Sequence, residues 1–202
     1  MDCLVVKYTY NFKNAEDRYE VYNVRVISGY ARGRRISAPK GTKIRPTPDR
    51  VKEAIFNTIS SLVTQSDFLD LFAGTGNMGI EALSRGANSC TFVDKSPQAI
   101  KCIKNNLSNI GFEDRSTVIL GDSEKVITKL TEAYDIIFLD PPYEAGLVVP
   151  ILKKLKILLK EEGIIVVETE SKTELPSQCD IFRLLKTSKY GDTQVGYYKG
   201  GD

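Results

Sequence analysis

The chain has 202 residues, of which 42% are hydrophobic and 27% are charged, as expected for one medium-sized globular domain with a small additional element. No apolar stretch approaches the roughly 18 residues of a membrane-spanning helix, and the N-terminus lacks a signal-peptide core, so we expect a cytoplasmic protein without membrane contact. Histidine is absent and the four cysteines form no CxxC pair, which predicts reduced thiols, no bound metal, and chemistry that relies on carboxylates, backbone groups or a cofactor.

The net charge of +2 is distributed unevenly along the chain. Residues 24–50 hold eight basic residues against one acidic residue, whereas residues 51–202 carry a net charge of −4. A basic segment on a mildly acidic body is typical of a surface that binds a polyanion. A solvated basic arm without a ligand is the alternative interpretation. The candidates for RNA binding are Arg32, Arg34, Arg35, Lys40 and Lys43.

The first third of the chain is predicted to form a small module. Residues 1–23 carry no clear pattern and are treated as an N-terminal extension. Residues 24–38 alternate and contain two glycines, which predicts a β-hairpin or two short strands. A helix is then predicted to begin with Thr47 as its N-cap and Pro48 as its first residue. We expect residues 24–64 to be a basic hairpin, loop and helix that contact RNA.

Residues 65–202 alternate between strand and helix patterns. Strands are predicted at 68–72, 90–94, 117–120, 136–140 and 164–168, and helices at 77–85, 97–109, 123–132 and 147–160. Residues 181–187 and 194–199 read as a terminal hairpin. The alternation is typical of an α/β fold with a doubly wound, mostly parallel sheet and helices on both faces, followed here by an antiparallel hairpin.

A glycine pattern follows the first of these strands. Gly74, Gly76 and Gly79 give G-x-G-x-x-G at the start of a helix, a pattern that also occurs in nicotinamide and flavin sites. Asp70 lies four residues before the first glycine, at the end of the strand. A carboxylate there would repel a pyrophosphate but suits the ammonium group of S-adenosylmethionine. The loop is therefore predicted to bind S-adenosylmethionine.

Two further acids follow the next two strands. Asp94 could accept hydrogen bonds from both ribose hydroxyls of the cofactor, and Asp122 could accept one from the adenine amino group. Alternatively, both acids simply cap the helices that follow them. The cofactor-binding candidates in this part of the chain are Asp70, Phe72, Ala73, Gly74, Gly76, Asn77, Gly79, Asp94, Lys95, Asp122, Ser123 and Asp140.

A second motif, DPPY, follows the apolar run at residues 136–139. Its two prolines fix the backbone and remove two N–H donors, so the local surface is rich in acceptors. Asp140 and a proline carbonyl could each accept one hydrogen of an exocyclic amino group and orient its lone pair toward a methyl donor. Tyr143 offers a ring that can stack on an extruded base. Asp140, Pro141 and Tyr143 are thus the catalytic candidates, with a rigid strand exit as the alternative.

With these motifs the chain resembles class I S-adenosylmethionine-dependent methyltransferases, and more closely the bacterial 16S rRNA guanine-N2 methyltransferases, the RsmD-like enzymes. The supporting stretches are residues 25–29, 32–36 and 45–53, the glycine loop, the DPPY motif and residues 190–193. The likeness runs from about residue 24 to residue 199, and residues 1–22 precede the usual family start.

The resemblance implies a seven-stranded, Rossmann-like methyltransferase fold and methylation of one guanine N2 in 16S rRNA, within an assembled or assembling small ribosomal subunit. It also implies that Arg45 and Thr47 lie near the methionine end of the cofactor. There Arg45 could pair with the cofactor carboxylate, and a phosphate contact is the alternative for this residue.

Two other functions stay open from the sequence. A DNA adenine-N6 methyltransferase would use the same two motifs, although such enzymes usually carry a sizeable recognition domain that is absent here. A non-catalytic RNA-binding factor on a methyltransferase scaffold would have no need for the intact acids and DPPY motif. No heptad pattern or large apolar stripe indicates an obligate partner, so a monomer is expected.

Overall fold

The computed structural model describes residues 19–39, 47–142 and 146–201. The predictions made for Lys40, Lys43, Arg45 and Tyr143 concern residues outside these ranges, as do those for residues 1–18.

Within the described residues the chain forms ten strands, six α-helices and one 3-10 helix. The strands are β1 Tyr19–Arg25, β2 Arg35–Pro39, β3 Asp67–Asp70, β4 Ser89–Asp94, β5 Ser116–Leu120, β6 Tyr134–Leu139, β7 Leu159–Glu170, β8 Gln178–Cys179, β9 Phe182–Tyr190 and β10 Thr193–Gly200. The helices are α1 Asp49–Thr58, α2 Ser60–Val63, α3 Asn77–Ser84, α4 Pro97–Ile110, α5 Ser123–Ile127 and α6 Val148–Leu152, with the 3-10 helix at Glu113–Arg115. None of the helices in the described ranges is long and apolar enough to cross a membrane.

The main sheet has the strand order β5-β4-β3-β6-β7-β10-β9-β8. The first five strands pair in parallel and the last three pair antiparallel, which confirms the predicted α/β fold and its terminal hairpin. The sheet has eight strands instead of seven, because the two residues of β8 add an edge strand beside β9. From β3 the chain winds outward to β4 and β5 and then returns to β6. Sheets of this kind bind ligands at such a reversal, beside the carboxyl ends of the strands.

Each face of the main sheet is covered by its own apolar cluster. Phe68 of β3 belongs to the cluster under α1, α3 and α4, whereas Leu69 belongs to the cluster under α5 and α6, because successive side chains of a strand point to opposite faces. Strands β1 and β2 form a separate antiparallel pair, as predicted for the basic hairpin, but β1 begins at Tyr19, inside the segment treated as an N-terminal extension. Val26 and Ile36 of this hairpin are buried in the same cluster as Phe68. The basic module therefore packs directly on the α3–α4 face.

Three predicted boundaries are wrong. The helices expected at 123–132 and 147–160 end at Ile127 and Leu152, so that β7 begins at Leu159, five residues before the predicted start. After α6 the chain continues in tight turns closed by hydrogen bonds over three residues, from Lys154 N–H to the Ile151 carbonyl and from Leu158 N–H to the Leu155 carbonyl. These turns bury apolar side chains at a spacing close to that of a helix, which explains the misreading.

The start of α1 also differs from the prediction. The helix begins at Asp49, Pro48 precedes it in an extended conformation, and no side chain caps its first turn. The hydroxyl of Thr47 instead donates to Glu168 at 2.7 Å. The Thr47 side chain therefore bonds to a residue that is distant in sequence and does not cap α1.

Candidate active site

The carboxyl ends of β3 and β6 bring two predicted acids together. Asp70 is the last residue of β3 and pairs in register with Phe138 of β6, two residues before Asp140. Both acids line a cavity of about 50 Å³. Its lining is Thr47, Asp70, Phe72, Ala73, Gly74, Thr75, Asn77, Met78, Phe138 and Asp140. Seven of the predicted cofactor residues are therefore gathered around one space, although they come from three separate segments of the chain.

A larger cavity of about 120 Å³ lies on the other side of the DPP sequence. Pro141 and Pro142 form one wall, the end of β7 contributes Thr169, and the loop after β7 contributes Thr173 and Glu174. Thr169 donates a hydrogen bond to Thr173 at 3.0 Å, which holds the start of this loop. Asp140 thus stands between two cavities, and the prolines that follow it fix the boundary between them.

The glycines of the loop serve different purposes. Gly76 has φ +78° immediately before α3, a left-handed conformation that favours glycine, and its N–H donates to the Ala73 carbonyl at 2.6 Å. Gly79 lies inside α3, where an added Cβ would be 2.3 Å from a ring carbon of Phe92 and 2.5 Å from the sulfur of Cys90. Gly76 therefore shapes the turn, whereas Gly79 allows α3 to pack closely on β4 and does not line the cavity.

Asp70 is the most deeply buried acid of the cavity lining. Its carboxylate accepts one hydrogen bond, from Gly79 N–H at 3.2 Å. Burial raises the pKa of Asp70 to about 7, against the lowering effect of that hydrogen bond and with further raising by Asp94 and Glu168. A cation placed in the cavity would stabilise the ionised form. The site is therefore suited to a positively charged ligand.

Asp94 holds the glycine loop against the end of β4. One carboxylate oxygen accepts from Gly74 N–H at 2.8 Å, and the other accepts from Ser96 N–H at 2.8 Å. The neighbouring Lys95 is exposed. Because a carboxylate can accept several hydrogen bonds, Asp94 keeps capacity for a ligand next to the loop it fixes.

Asp122, which follows β5, caps the helix next to it in the structure. Asp122 is exposed and caps α5 by accepting from Lys125 N–H at 3.3 Å. Ser123 is buried and its hydroxyl donates to the Leu71 carbonyl. The contacts of Asp122 thus match the helix-cap alternative, and neither residue is in the cavity lining.

Sequence reasoning missed Glu168, which lies near the end of β7 and is only 2% exposed. Burial raises its pKa to about 7, although the hydrogen bond from Thr47 lowers it. Asp140 is affected in turn: burial, then the charges of Glu168 and Asp70, hold the pKa of Asp140 well above its ordinary value. The available signal was that the strand predicted at 164–168 ended on an acid, at the same edge of the sheet as the other strand-end acids.

The carboxyl of Glu168 predicts a pH dependence of stability. The pKa of this carboxyl is 4.5 in the unfolded chain and about 7 in the folded protein, so the folded state binds more protons. Its contribution to the free energy of unfolding is therefore complete at any pH below the unfolded-state pKa. That contribution is lost as the pH rises through about 7. We expect the free energy of unfolding of the ligand-free protein to fall between about pH 5 and about pH 8 more steeply than that of Glu168→Gln. Urea titrations of both proteins measure this, and parallel pH profiles would contradict it.

Comparison with known proteins agrees with this geometry. Residues 24–199 match the family model described as "Conserved hypothetical protein 95". YlbH of Bacillus subtilis is 40% identical over 181 residues, 87% of this chain and 98% of YlbH. Ribosomal RNA small subunit methyltransferase D of Haemophilus influenzae is 35% identical over 87% of this chain and 93% of its own length.

A solved structure has a similar fold over most of the chain. The Escherichia coli protein yhhF has a TM-score of 0.79 with this chain at 29% identity, covering 88% of this chain and 98% of yhhF. The matched stretch contains the turn between β1 and β2, strand β2, the glycine loop and strand β6, which Asp140 follows. The chain therefore belongs to the Conserved hypothetical protein 95 family, the RsmD family of methyltransferases.

Proposed function

We propose that this protein transfers a methyl group from S-adenosylmethionine to the exocyclic N2 of a guanine in 16S rRNA, as a cytoplasmic monomer that acts on an assembled or assembling small subunit. The observation that carries the proposal is the placement of Asp70 and Asp140 at adjacent strand ends, around one cavity shared with the glycine loop. The relative named Ribosomal RNA small subunit methyltransferase D supports the substrate class, since it matches this chain over nearly its full length.

The residues present fit S-adenosylmethionine. Asp70 is a buried carboxylate with one hydrogen bond, suited to a cationic group, and Asp94 lies next to the loop with further acceptor capacity. Thr47 lines the cavity, and the proposal assigns Arg45 to the cofactor carboxylate. When bound, the cofactor supplies a methyl group that its sulfonium makes electrophilic.

The DPPY motif prepares the amino group that receives the methyl. The amino nitrogen of guanine is a poor nucleophile because its lone pair is delocalised into the ring. Asp140 accepts one amino hydrogen and the Pro141 carbonyl accepts the other, which orients the lone pair toward the methyl group. The larger cavity beside Pro141 and Pro142 gives the base a place on the far side of Asp140, and Tyr143 stacks on its face.

The nitrogen must lose a proton as it gains a methyl group. Asp140 is already in hydrogen-bond contact with that proton in this arrangement. Burial and the neighbouring carboxylates of Glu168 and Asp70 raise the pKa of Asp140. The positive charge of the bound cofactor would favour the ionised form, which is then a stronger base than an ordinary aspartate. Asp140 therefore both positions the amino group and takes its proton.

The RNA surface is formed by the basic turn (residues 28–34) and the strand after it. Arg32, Arg34 and Arg35 are exposed, and the proposal assigns them, with Lys40 and Lys43, to phosphate contacts. Such contacts make affinity fall steeply with salt concentration. A small basic module of this kind cannot read a long sequence, so a folded rRNA surface supplies much of the specificity.

The proposed contact between Asp94 and the cofactor ribose can be tested by mutation. Asp94→Ala should weaken S-adenosylmethionine binding by about 10- to 100-fold, since hydrogen bonds to a charged group each contribute about 1.5–3 kcal/mol. Isothermal titration calorimetry measures the affinity, and circular dichroism checks that the loop variant is folded. Asp114→Ala, at an exposed acid of the 3-10 helix, is the matched control. An unchanged affinity for Asp94→Ala would exclude the ribose contact.

The function itself is tested by methyl transfer from labelled S-adenosylmethionine to three substrates in parallel: unmethylated 30S particles, protein-free 16S rRNA and duplex DNA. We expect label in small-subunit rRNA only, and a single N2-methylguanine on mass mapping. Label in DNA as N6-methyladenine would overturn the substrate. Cofactor binding without label in any substrate would instead favour a non-catalytic RNA-binding factor.

A further inference from the structure

Tyr30 is held almost completely in solvent at the surface of the basic turn. It is 89% exposed, more than any other large hydrophobic side chain among the described residues; the next is Ile157 at 75%. The side chain gains little from packing in this position. Its neighbours in the turn, Arg32 and Arg34, are also exposed.

The backbone beneath Tyr30 is fixed to the end of α3. Tyr30 N–H donates to the Ser84 carbonyl at 2.8 Å, and Ala31 N–H donates to the Ser84 hydroxyl at 2.9 Å. Gly29 has φ +80°, and an added Cβ would lie 1.8 Å from the Ser84 carbonyl oxygen, so only glycine allows this approach. An exposed aromatic side chain on such a fixed backbone is already organised for binding.

The surroundings of the ring are aromatic and basic. The centroid of the Tyr30 ring lies 6.4 Å from that of Phe112, at an interplanar angle of 42°. The guanidinium of Arg115 lies over the other aromatic ring, 4.8 Å from the centroid of Phe112. Arg34 donates to the Asn109 carbonyl at the end of α4, which fixes one end of the guanidinium and leaves its other N–H groups available. The surface thus combines a stacking face with several cations.

The charge of this surface favours a polyanion over a protein partner. Two exposed acids, Glu113 and Asp114, lie in the 3-10 helix beside Phe112, and four arginines outnumber them. The arginines are Arg32, Arg34, Arg35 and Arg115. A single aromatic ring surrounded by charge also differs from the contiguous apolar patch that is typical of a protein interface.

We propose that Tyr30 is a stacking platform for an unpaired base of RNA, with Arg32 and Arg34 on the adjacent phosphates. Single-stranded RNA is commonly held by bases stacked on aromatic side chains beside a basic groove. The proposal rests on the proposed rRNA substrate and adds a second contact to it.

The stacked base is a different nucleotide from the methylated one. Helix α3 begins at Asn77, which lines the cofactor cavity, and ends at Ser84, which holds the turn. Its eight residues span about 12 Å. Because Tyr30 is at the far end of this helix, it anchors the RNA without touching the reacting base. Its loss should raise KM and leave kcat unchanged.

The experiment uses the complete protein with Tyr30→Ala, Tyr30→Phe and Tyr30→Trp, and with Ile157→Ala as the control at another exposed apolar side chain. The chain has no tryptophan, so Tyr30→Trp introduces the only tryptophan, whose fluorescence can be excited separately from that of the tyrosines. The probes are protein-free 16S rRNA and 30S particles. Tyr30→Ala should raise KM for rRNA methylation by about tenfold at constant kcat and cofactor affinity, Tyr30→Phe should restore it, and rRNA should quench the tryptophan.

Each outcome decides between the proposals. An unchanged KM for Tyr30→Ala together with an unquenched Tyr30→Trp would overturn the platform while leaving the methyltransferase function intact. An effect with 30S particles and none with protein-free rRNA would overturn it in favour of a ribosomal protein contact. Tyr30-dependent binding and quenching by rRNA without any methyl transfer would keep the platform and remove the proposed function.

Discussion

Replacing Asp140 by alanine will reduce methyl transfer to rRNA by at least about 10²- to 10³-fold, the range typical for loss of a group that acts on the reacting atoms. In the proposed mechanism the carboxylate holds one amino hydrogen and takes the departing proton, and the chain has no histidine to replace it in either role. Single-turnover kinetics with labelled S-adenosylmethionine measure the loss. Cofactor affinity, measured by calorimetry, should change far less, because Asp70 and Asp94 remain in place.

The conservative variant separates the two roles of this residue. Asp140→Asn keeps an acceptor for the amino hydrogen but has no carboxylate to take the proton, so it should retain more activity than Asp140→Ala and remain far below wild type. Glu161→Ala, at an exposed acid of β7 outside both cavities and outside the basic turn, is the control for loss of an acid at the surface. Near-normal turnover of Asp140→Ala would show that the amino group is oriented by other residues.

The position of Asp70 and Asp140 could be predicted because it depends on topology alone. Both residues end an apolar strand pattern, and alternation with helices indicates parallel strands whose carboxyl ends share one edge. The structure pairs exactly these two strands, β3 and β6, at the reversal of the sheet. The glycine spacing likewise predicted the turn at Gly76 correctly, since the left-handed backbone there is a local requirement.

The role of Thr47 could not be predicted because its partner is distant in sequence. A threonine before proline and an acid matches a helix N-cap, and local rules offered no competing contact. The structure places Glu168, 121 residues later in the chain, within 2.7 Å of the Thr47 hydroxyl. A buried carboxylate needs a donor more than an exposed helix end does, so the tertiary contact prevails over the local pattern.

The burial of Lys52 likewise could not be predicted from local sequence patterns. In the sequence it belongs to a helix whose apolar face is carried by Val51 and Ile55, which suggests a side chain in solvent. In the structure it is completely buried, and its ammonium contacts the hairpin at Arg25 and α3 at Asn77 and Glu81. The packing of the hairpin and of α3 around this lysine is tertiary structure, which sequence periodicity does not reveal.

Lys52→Met is expected to destabilise the protein by about 3–5 kcal/mol, the usual loss when one partner of a buried ion pair is removed. Lys52 and Glu81 have no exposed side-chain surface and lie 3.3 Å apart. The ammonium also donates to the Arg25 carbonyl and to Asn77 Oδ1, each at 2.6 Å. Methionine preserves the length of the side chain but leaves these acceptors without their donor. Urea unfolding followed by circular dichroism measures the loss.

Two further variants test whether the loss of stability in Lys52→Met comes from the buried ion pair. Lys154→Met removes an ion pair with Glu124 at 2.9 Å whose side chains are 39% and 34% exposed, and should cost no more than about 1 kcal/mol. In the double variant Lys52→Met/Glu81→Gln the loss should be smaller than the sum of the single losses, because the buried charge has been removed with its partner. A loss for Lys52→Met no larger than that for Lys154→Met would show that the buried network contributes nothing beyond packing. A large loss would mean that the Lys52 ammonium stabilises the fold by joining the basic hairpin, at the Arg25 carbonyl, to the start of α3, at Asn77.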